Sequence, residues 1–189
     1  MFERDYTING KHATQLKFLA IKNSKEDVDE PEVVNPAKIF ERYIDVYMNA
    51  VIWGLLYTRK EKKDNESNDR ARIYADAFAI ERNNCIFLYR LVMLLDETSN
   101  LTAEERIDRA FRHDETSPDY KDNMELFHDY VRGGIEQMFE LFTNSCSNRR
   151  EYLKKTYEVM SEFKKDIGEF SYKDELPKLI NQTQLNLNM

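Results

Sequence analysis

Glycine and proline are scarce in this chain of 189 residues, and their scarcity constrains the fold more than any other feature. The chain holds only 5 Gly and 4 Pro, whereas an all-β domain of this length needs many more such residues in its turns. Hydrophobic residues make up 41% of the chain and aromatic residues 12%, which is enough apolar material to form a buried core. The composition therefore predicts an all-α fold.

Apolar residues recur along most of the chain at the spacings of three and four that mark the buried face of a helix. This pattern predicts helices over residues 11–21, 35–59, 68–96, 102–113, 117–142 and 148–170. The sequence shows no internal repeat, low-complexity tract or linker, so we expect a single domain over residues 1–189, a bundle of about five or six helices.

Residues 35–170 are expected to form the helical core of this domain. Residues 1–34 are predicted to be an N-terminal arm, with an extended lead-in, a turn at Asn9-Gly10 and a short helix. Residues 171–189 are polar and rich in Asn and Gln, which predicts a C-terminal tail.

Several helix boundaries and contacts carry their own signals. Asn35-Pro36 is typical of a helix start, and Thr102 with Glu105 forms a capping box. The stretch from Cys85 to Leu95 has a single charge, so we expect neighbouring elements to enclose it. The pair Gly133-Gly134 inside a predicted helix indicates either a kink or the close approach of another helix.

The charge balance disfavours nucleic acid and anionic membranes as partners. The formal net charge is −7 and the isoelectric point is about 5.2, so the overall field repels polyanions. The charged N-terminus does not resemble a signal peptide, and the most apolar stretch, residues 43–57, is shorter than the roughly 20 residues of a membrane span. We expect a cytoplasmic protein with no membrane partner, whose two cysteines, Cys85 and Cys146, are free thiols.

Few residues suggest a chemical reaction. Glu125-x-x-His128 has the spacing found in di-iron bundles, but those need a second such motif, and the chain has only three histidines. A solvated pair is the expected interpretation, and a metal enzyme built around these two residues is a third hypothesis. The turn before His12 could hold a phosphate, although an ordinary turn explains it. We therefore expect no enzyme, no catalytic residue, no cofactor and no metal.

A compact helical domain without catalytic residues most often works by contact. The first hypothesis is a non-enzymatic protein-interaction module, either a homo-oligomer or a subunit or adaptor of a larger assembly. The proposed contacts are the aromatic residues Trp53, Tyr57, Tyr152 and Tyr157. For each of them, packing in the core is the alternative interpretation.

The alternative function is a nucleic-acid accessory factor, for example in a bacterial DNA-modification or phage-defence complex. Its proposed phosphate contacts are arginines in two predicted helices: Arg106, Arg109, Arg112, Arg149 and Arg150. Arginines are the usual phosphate contacts, but acidic residues alternate with them, so a solvated face of paired charges also explains the pattern.

Overall fold

The computed structural model describes residues 1–22, 39–113, 115–144, 146 and 149–169. In chain order, these residues form β1 (Tyr6–Asn9), α1 (Lys11–Leu19), β2 (Ala20–Lys22), β3 (Phe40–Arg42), α2 (Tyr43–Leu56), β4 (Arg70–Ile73), α3 (Ala75–Ile80), α4 (Arg82–Leu95), α5 (Ala103–Phe111), α6 (Tyr120–Thr143) and α7 (Arg149–Glu169). The sequence predicts an all-α fold, and the described residues are mainly helical, with four short strands in addition. The predicted number of five or six helices is not confirmed, because the described residues hold seven.

Strand β4 lies inside the segment 68–96, which was predicted to be one helix. It pairs antiparallel with β1, so that Tyr6 lies opposite Ile73, and its side chains are alternately exposed and buried. The helical prediction was wrong for this stretch. The extended strand β1 needs a neighbour for its backbone hydrogen bonds, and β4 provides it. The burial of the β4 side chains accordingly alternates with the period of two that is typical of a strand. The remainder of the segment is divided into α3 and α4 at Glu81.

The helix predicted over residues 35–59 is shorter than expected, because residues 40–42 form β3 and pair parallel with β2. Asp45 caps the first turn of α2. Its carboxylate accepts a hydrogen bond from the backbone N–H of Arg42 at 3.0 Å and one from the guanidinium group at 2.6 Å. α2 is 14 residues long, and none of the helices in the described ranges has the length and apolar character needed to cross a membrane.

α2 and α6 pack more closely than ordinary side chains allow, because glycines lie at their contact. A Cβ atom at Gly134 would overlap the carbonyl oxygen of Ala50 in α2. A Cβ atom at Gly133 would overlap the carbonyl oxygen of Arg59, in the segment that follows α2. Of the two alternatives predicted for this glycine pair, a kink or the close approach of another helix, the close approach is observed.

An aromatic core joins the N-terminal residues to α2, α3 and α6. The ring of Tyr47 lies at its centre, 5.3 Å from the ring of Phe78 and 6.0 Å from that of Phe127 between centroids. Phe2 packs against the same two rings, at 5.8 Å and 5.7 Å. Residues of the predicted N-terminal arm therefore contribute to the core.

Some predictions fall outside the described residues. These are the helix start at Asn35-Pro36, the C-terminal tail over residues 171–189, and the start of the last predicted helix at residue 148. The start of α6 is described, and it lies at Tyr120, three residues after the predicted start at residue 117.

Candidate functional site

α4 is apolar on two opposite faces, and the described residues cover only one of them. The inner face is buried in the core through Cys85, Leu88, Tyr89, Val92 and Met93. The outer face carries Phe87, which is 64% exposed. Leu95, at the end of the helix, is also more than half exposed. Within the described part of the chain, the expectation that neighbours enclose this whole stretch is therefore not met.

A groove between α4 and α5 lies on this outer face. Phe111 of α5 forms one side of it, and the other side is formed by residues of α4: Asn83, Ile86, Phe87, Arg90, Leu91 and Leu94. We call these seven residues the α4–α5 face. The groove measures about 330 Å³, near the lower limit of pockets that enclose small ligands. Its shallow apolar surface suits the side chains of another macromolecule.

Arg90 is the charged residue among those that line the groove. Its guanidinium carbon lies 5.1 Å from the centroid of the Phe111 ring. A guanidinium group that stacks on an aromatic ring keeps donors at its edge, and these donors can bind a carboxylate in a bidentate manner. The α4–α5 face therefore combines apolar contact area with one site for an acidic group.

Two arginines of α5 hold this helix against the end of α4. Arg109 is buried, and its guanidinium group donates to the carbonyl oxygen of Met93 at 2.8 Å and to Ser99 Oγ at 3.0 Å. Arg106 donates to the carbonyl oxygen of Leu94 at 3.4 Å. Both carbonyls belong to the last turn of α4, where unpaired carbonyl groups favour cations. Two of the arginines proposed as phosphate contacts, Arg106 and Arg109, therefore dock α5 on α4.

Asp96 is a fully buried carboxylate immediately after α4. It accepts hydrogen bonds from Thr98 Oγ1 at 2.6 Å, from Tyr130 Oη at 2.8 Å and from Ser99 Oγ. Arg109 Nη2 lies 3.5 Å away. Burial opposes ionisation here, but these hydrogen bonds outweigh it and hold the pKa of Asp96 well below its usual value. Asp96 thereby links α6 and α5 beneath the α4–α5 face.

The four aromatic residues predicted to contact a partner lie in different environments. Trp53 is buried and stacks on Phe163 of α7, with 5.2 Å between the ring centroids. It therefore holds α7 against α2 and does not face solvent. Tyr57 stacks on Trp53 and is half exposed, and Tyr152 is partly buried. Tyr157 is 76% exposed on α7, so it remains accessible to a partner.

The arginines proposed to contact nucleic acid do not share one environment. Arg112 is exposed and forms an ion pair with Asp108 at 2.8 Å, whereas Arg109 is buried. α5 is described in full, and it presents no continuous row of three exposed arginines. Arg150 is exposed at the start of α7, and the side chain of Arg149 lies outside the description. This arrangement adds no support to the nucleic-acid hypothesis.

Glu125 and His128 do not form the solvated pair expected from their spacing. The His128 ring stacks on Tyr6 with 3.9 Å between centroids, and its Nε2 lies 3.1 Å from Tyr47 Oη in a hydrogen bond. Burial, together with the charge of Arg132, lowers the pKa of His128 to about 3. Glu125 accepts a hydrogen bond from Arg132 at 2.6 Å. The interpretation of a solvated pair was wrong for His128, which belongs to the aromatic core.

The turn before α1 does not leave its first amide open for a phosphate. Gly10 adopts a φ of 65°, a conformation that favours glycine. The backbone N–H of Lys11 donates to Asp64 Oδ2 at 2.6 Å, so a carboxylate of the chain itself occupies the position suggested for a phosphate.

A polar cluster forms where α1, α6 and the segment after α2 meet. His12, Glu61 and Glu136 each offer one ligand atom, and these atoms lie within 4.8 Å of one another. Lys11 Nζ lies 3.1 Å from Glu136 Oε2 and 3.9 Å from Glu61 Oε2. The three residues are far apart in the sequence, so no local spacing could have predicted this cluster.

Neither a protein-family model, nor a curated protein, nor a solved structure matches this chain.

Proposed function

We propose that this protein works by contact, as an interaction module that binds a partner protein through the α4–α5 face. The observation that carries the proposal is the exposure of two aromatic side chains of this face: Phe87, on a helix whose other side is buried in the core, and Phe111 of α5. Complete burial of a large apolar side chain contributes roughly 1.5–3 kcal/mol. A partner that covers this face would therefore gain free energy from several side chains at once.

The chemistry of the face favours an amphipathic helix of another protein, with a carboxylate beside its apolar stripe. Amphipathic helices bind hydrophobic grooves through apolar residues at spacings of three, four and seven. The groove offers apolar side chains from two helices, and Arg90 provides a cation at their border. A carboxylate on the partner would pair with this guanidinium group.

A second copy of the chain fits this face less well. If two copies packed α4 against α4 around a twofold axis near Arg90, the same surface would meet itself. The two guanidinium groups would then lie close together, and like charges in an interface are unfavourable by several kcal/mol. We therefore assign the face to a different protein.

The experiment compares four tagged forms of the full chain, isolated from the cells that make it: wild type, Phe87→Asp, Arg90→Glu and Tyr157→Asp. Tyr157 is the matched control, because it is an exposed aromatic residue on α7. We expect one protein to be retained by the wild type and by Tyr157→Asp and lost from the other two variants. In purified form, that protein should bind Phe87→Asp roughly 100-fold more weakly than the wild type, about 2.7 kcal/mol.

Three results would contradict the proposal. Equal retention by all four forms would show that the face is not used. Loss from Tyr157→Asp alone would move the contact to α7. A dimer in sedimentation velocity that Phe87→Asp abolishes would assign the face to self-association.

A further inference from the structure

We propose that His12, Glu61 and Glu136 bind a divalent first-row transition-metal ion. The three residues supply one imidazole nitrogen and two carboxylate oxygens, whose ligand atoms lie within 4.8 Å of one another. Zinc, manganese and iron accept ligand sets of this kind, and three protein ligands leave a position for water. This site does not depend on contact through the α4–α5 face.

The state of His12 provides an independent observation. Its side chain is fully buried, and neither ring nitrogen has a hydrogen-bond partner within the part of the chain that the structure describes. An unpaired buried polar group is unfavourable by about 1–3 kcal/mol. Burial, together with the charge of Lys11, lowers the pKa of His12 to about 4. The ring is thus neutral near neutral pH, which is the form that ligates metals.

The distance between His12 and Glu136 also fits an ion. Nε2 of His12 lies 3.7 Å from Oε2 of Glu136, which is beyond the usual length of a hydrogen bond. Two ligand atoms that are each about 2.0–2.2 Å from one metal ion lie roughly 3–4 Å apart. The observed distance between Nε2 and Oε2 therefore falls within the range expected for two ligands of one metal ion.

The backbone holds Glu61 in place beside α6. Its N–H donates to the carbonyl oxygen of Asp129 at 3.0 Å, and its own carbonyl oxygen accepts a hydrogen bond from Arg132 Nε at 2.8 Å. The absence of a side chain at Gly133 lets the segment before Glu61 lie directly on this helix. Glu61 is therefore positioned near Glu136 by contacts that do not involve its carboxylate, as pre-organised ligands are.

The charges around the site allow an ion to replace Lys11. The Lys11 ammonium group lies within 4 Å of both carboxylates, but its side chain is 48% exposed and can turn towards solvent. Arg59 donates to Glu140 at 2.6 Å and 2.8 Å, and it also lies 3.3 Å from Glu136 Oε1 and 4.0 Å from Glu61 Oε1. Once Lys11 has moved away, a divalent ion can take its place beside the Oε2 atoms of Glu61 and Glu136.

The experiment titrates the full chain with Zn²⁺ by calorimetry and with Co²⁺ by visible absorption. We expect one equivalent to bind. Glu61→Gln should weaken binding at least about tenfold, and Lys11→Leu should tighten it about tenfold by removing a competing cation. Glu66→Gln, which changes an exposed carboxylate in the same loop, should leave the affinity unchanged.

A second measurement does not depend on any variant. In the Co²⁺-loaded wild type, the ring protons of His12 should show large paramagnetic shifts in the NMR spectrum, because the metal lies one bond from the ring. The proposal would be overturned by absent binding in both the wild type and Lys11→Leu, by equal affinities of Glu61→Gln and Glu66→Gln, or by His12 signals that Co²⁺ does not shift.

Discussion

The Cα atom of Gly134 in α6 lies directly against the carbonyl oxygen of Ala50 in α2, with no room for a methyl group between them. Gly54 repeats the relationship one turn later in α2, against the carbonyl oxygen of Tyr130. The close packing of these helices places Tyr130 where its hydroxyl group can donate to Asp96. It also allows the segment after α2 to lie on α6, where Glu61 N–H donates to the carbonyl oxygen of Asp129. Both the support of the α4–α5 face and the cluster around His12 therefore depend on glycine at this contact.

Replacing Gly134 by Ala should destabilise the protein, although alanine is the better helix former by about 1 kcal/mol. The new methyl group meets backbone atoms that cannot rotate away, so α2 and α6 must move apart. We expect the free energy of unfolding in urea to fall by about 1–3 kcal/mol.

Ser161→Ala on an exposed part of α7 is the control for this variant, and it should change stability by less than about 0.5 kcal/mol. Equal stability of Gly134→Ala and the wild type would contradict the close packing of the two helices.

Asp96→Asn should also destabilise the fold, because the amide group cannot replace the buried carboxylate. The side chain accepts hydrogen bonds from Thr98, Ser99 and Tyr130, and an amide places two donors where acceptors are needed. We expect a loss of about 2–4 kcal/mol in the free energy of unfolding.

The neighbouring Glu97→Gln, at an exposed position, should have little effect on stability. If Asp96→Asn unfolds at the same urea concentration as Glu97→Gln and the wild type, the hydrogen bonds of Asp96 do not stabilise the fold.

His128 should make the stability of the protein fall as the pH is lowered. Its pKa is about 3 in the folded protein and about 6.5 in an unfolded chain. Between these values only the unfolded chain binds the proton, so the free energy of unfolding decreases with falling pH, by at most about 1.4 kcal/mol per unit. The groups that face the ring are Tyr6, Tyr47 and Arg132, and none of them titrates in this range.

His128→Gln tests this dependence, because glutamine keeps a polar group near Tyr47 and has no proton to gain. Urea unfolding between about pH 6 and pH 4.5 should show a slope that is smaller by about 1 kcal/mol per unit than that of the wild type. Glu125 and Asp129, the nearby acids, are present in both proteins, so they cancel in the comparison. Parallel curves would contradict the packing of His128 against Tyr6 and Tyr47.

The parts of the fold that local sequence determines were predicted well. The capping box at the start of α5 is present, with Glu105 N–H donating to Thr102 Oγ1 at 3.3 Å and the N–H of Thr102 donating to Glu105 Oε2 at 2.7 Å. The glycine pair in α6 indicated either a kink or a close approach, and the close approach is observed. In both cases, residues a few positions apart contain the whole signal.

The parts that long-range contacts determine were not predicted. The helical spacing of apolar residues around β4 concealed a strand, because the pairing of Tyr6 with Ile73 is decided by a segment far away in the chain. The spacing between Glu125 and His128 suggested a pair, whereas tertiary packing brings His12 beside Glu136. The sequence also shows that α4 is apolar on more than one face, but not which of these faces the rest of the chain covers.

Photo-crosslinking from the α4–α5 face tests the central proposal most directly. A photoreactive phenylalanine derivative is placed at Phe87 in one form of the protein and at Tyr157 in another, and both are illuminated in the cells that make the chain. The account predicts a covalent adduct from Phe87 alone, joined to an amphipathic helical segment of a different protein that carries a carboxylate. Adducts formed equally from both positions, an adduct only between two copies of this chain, or no adduct from Phe87 would contradict it.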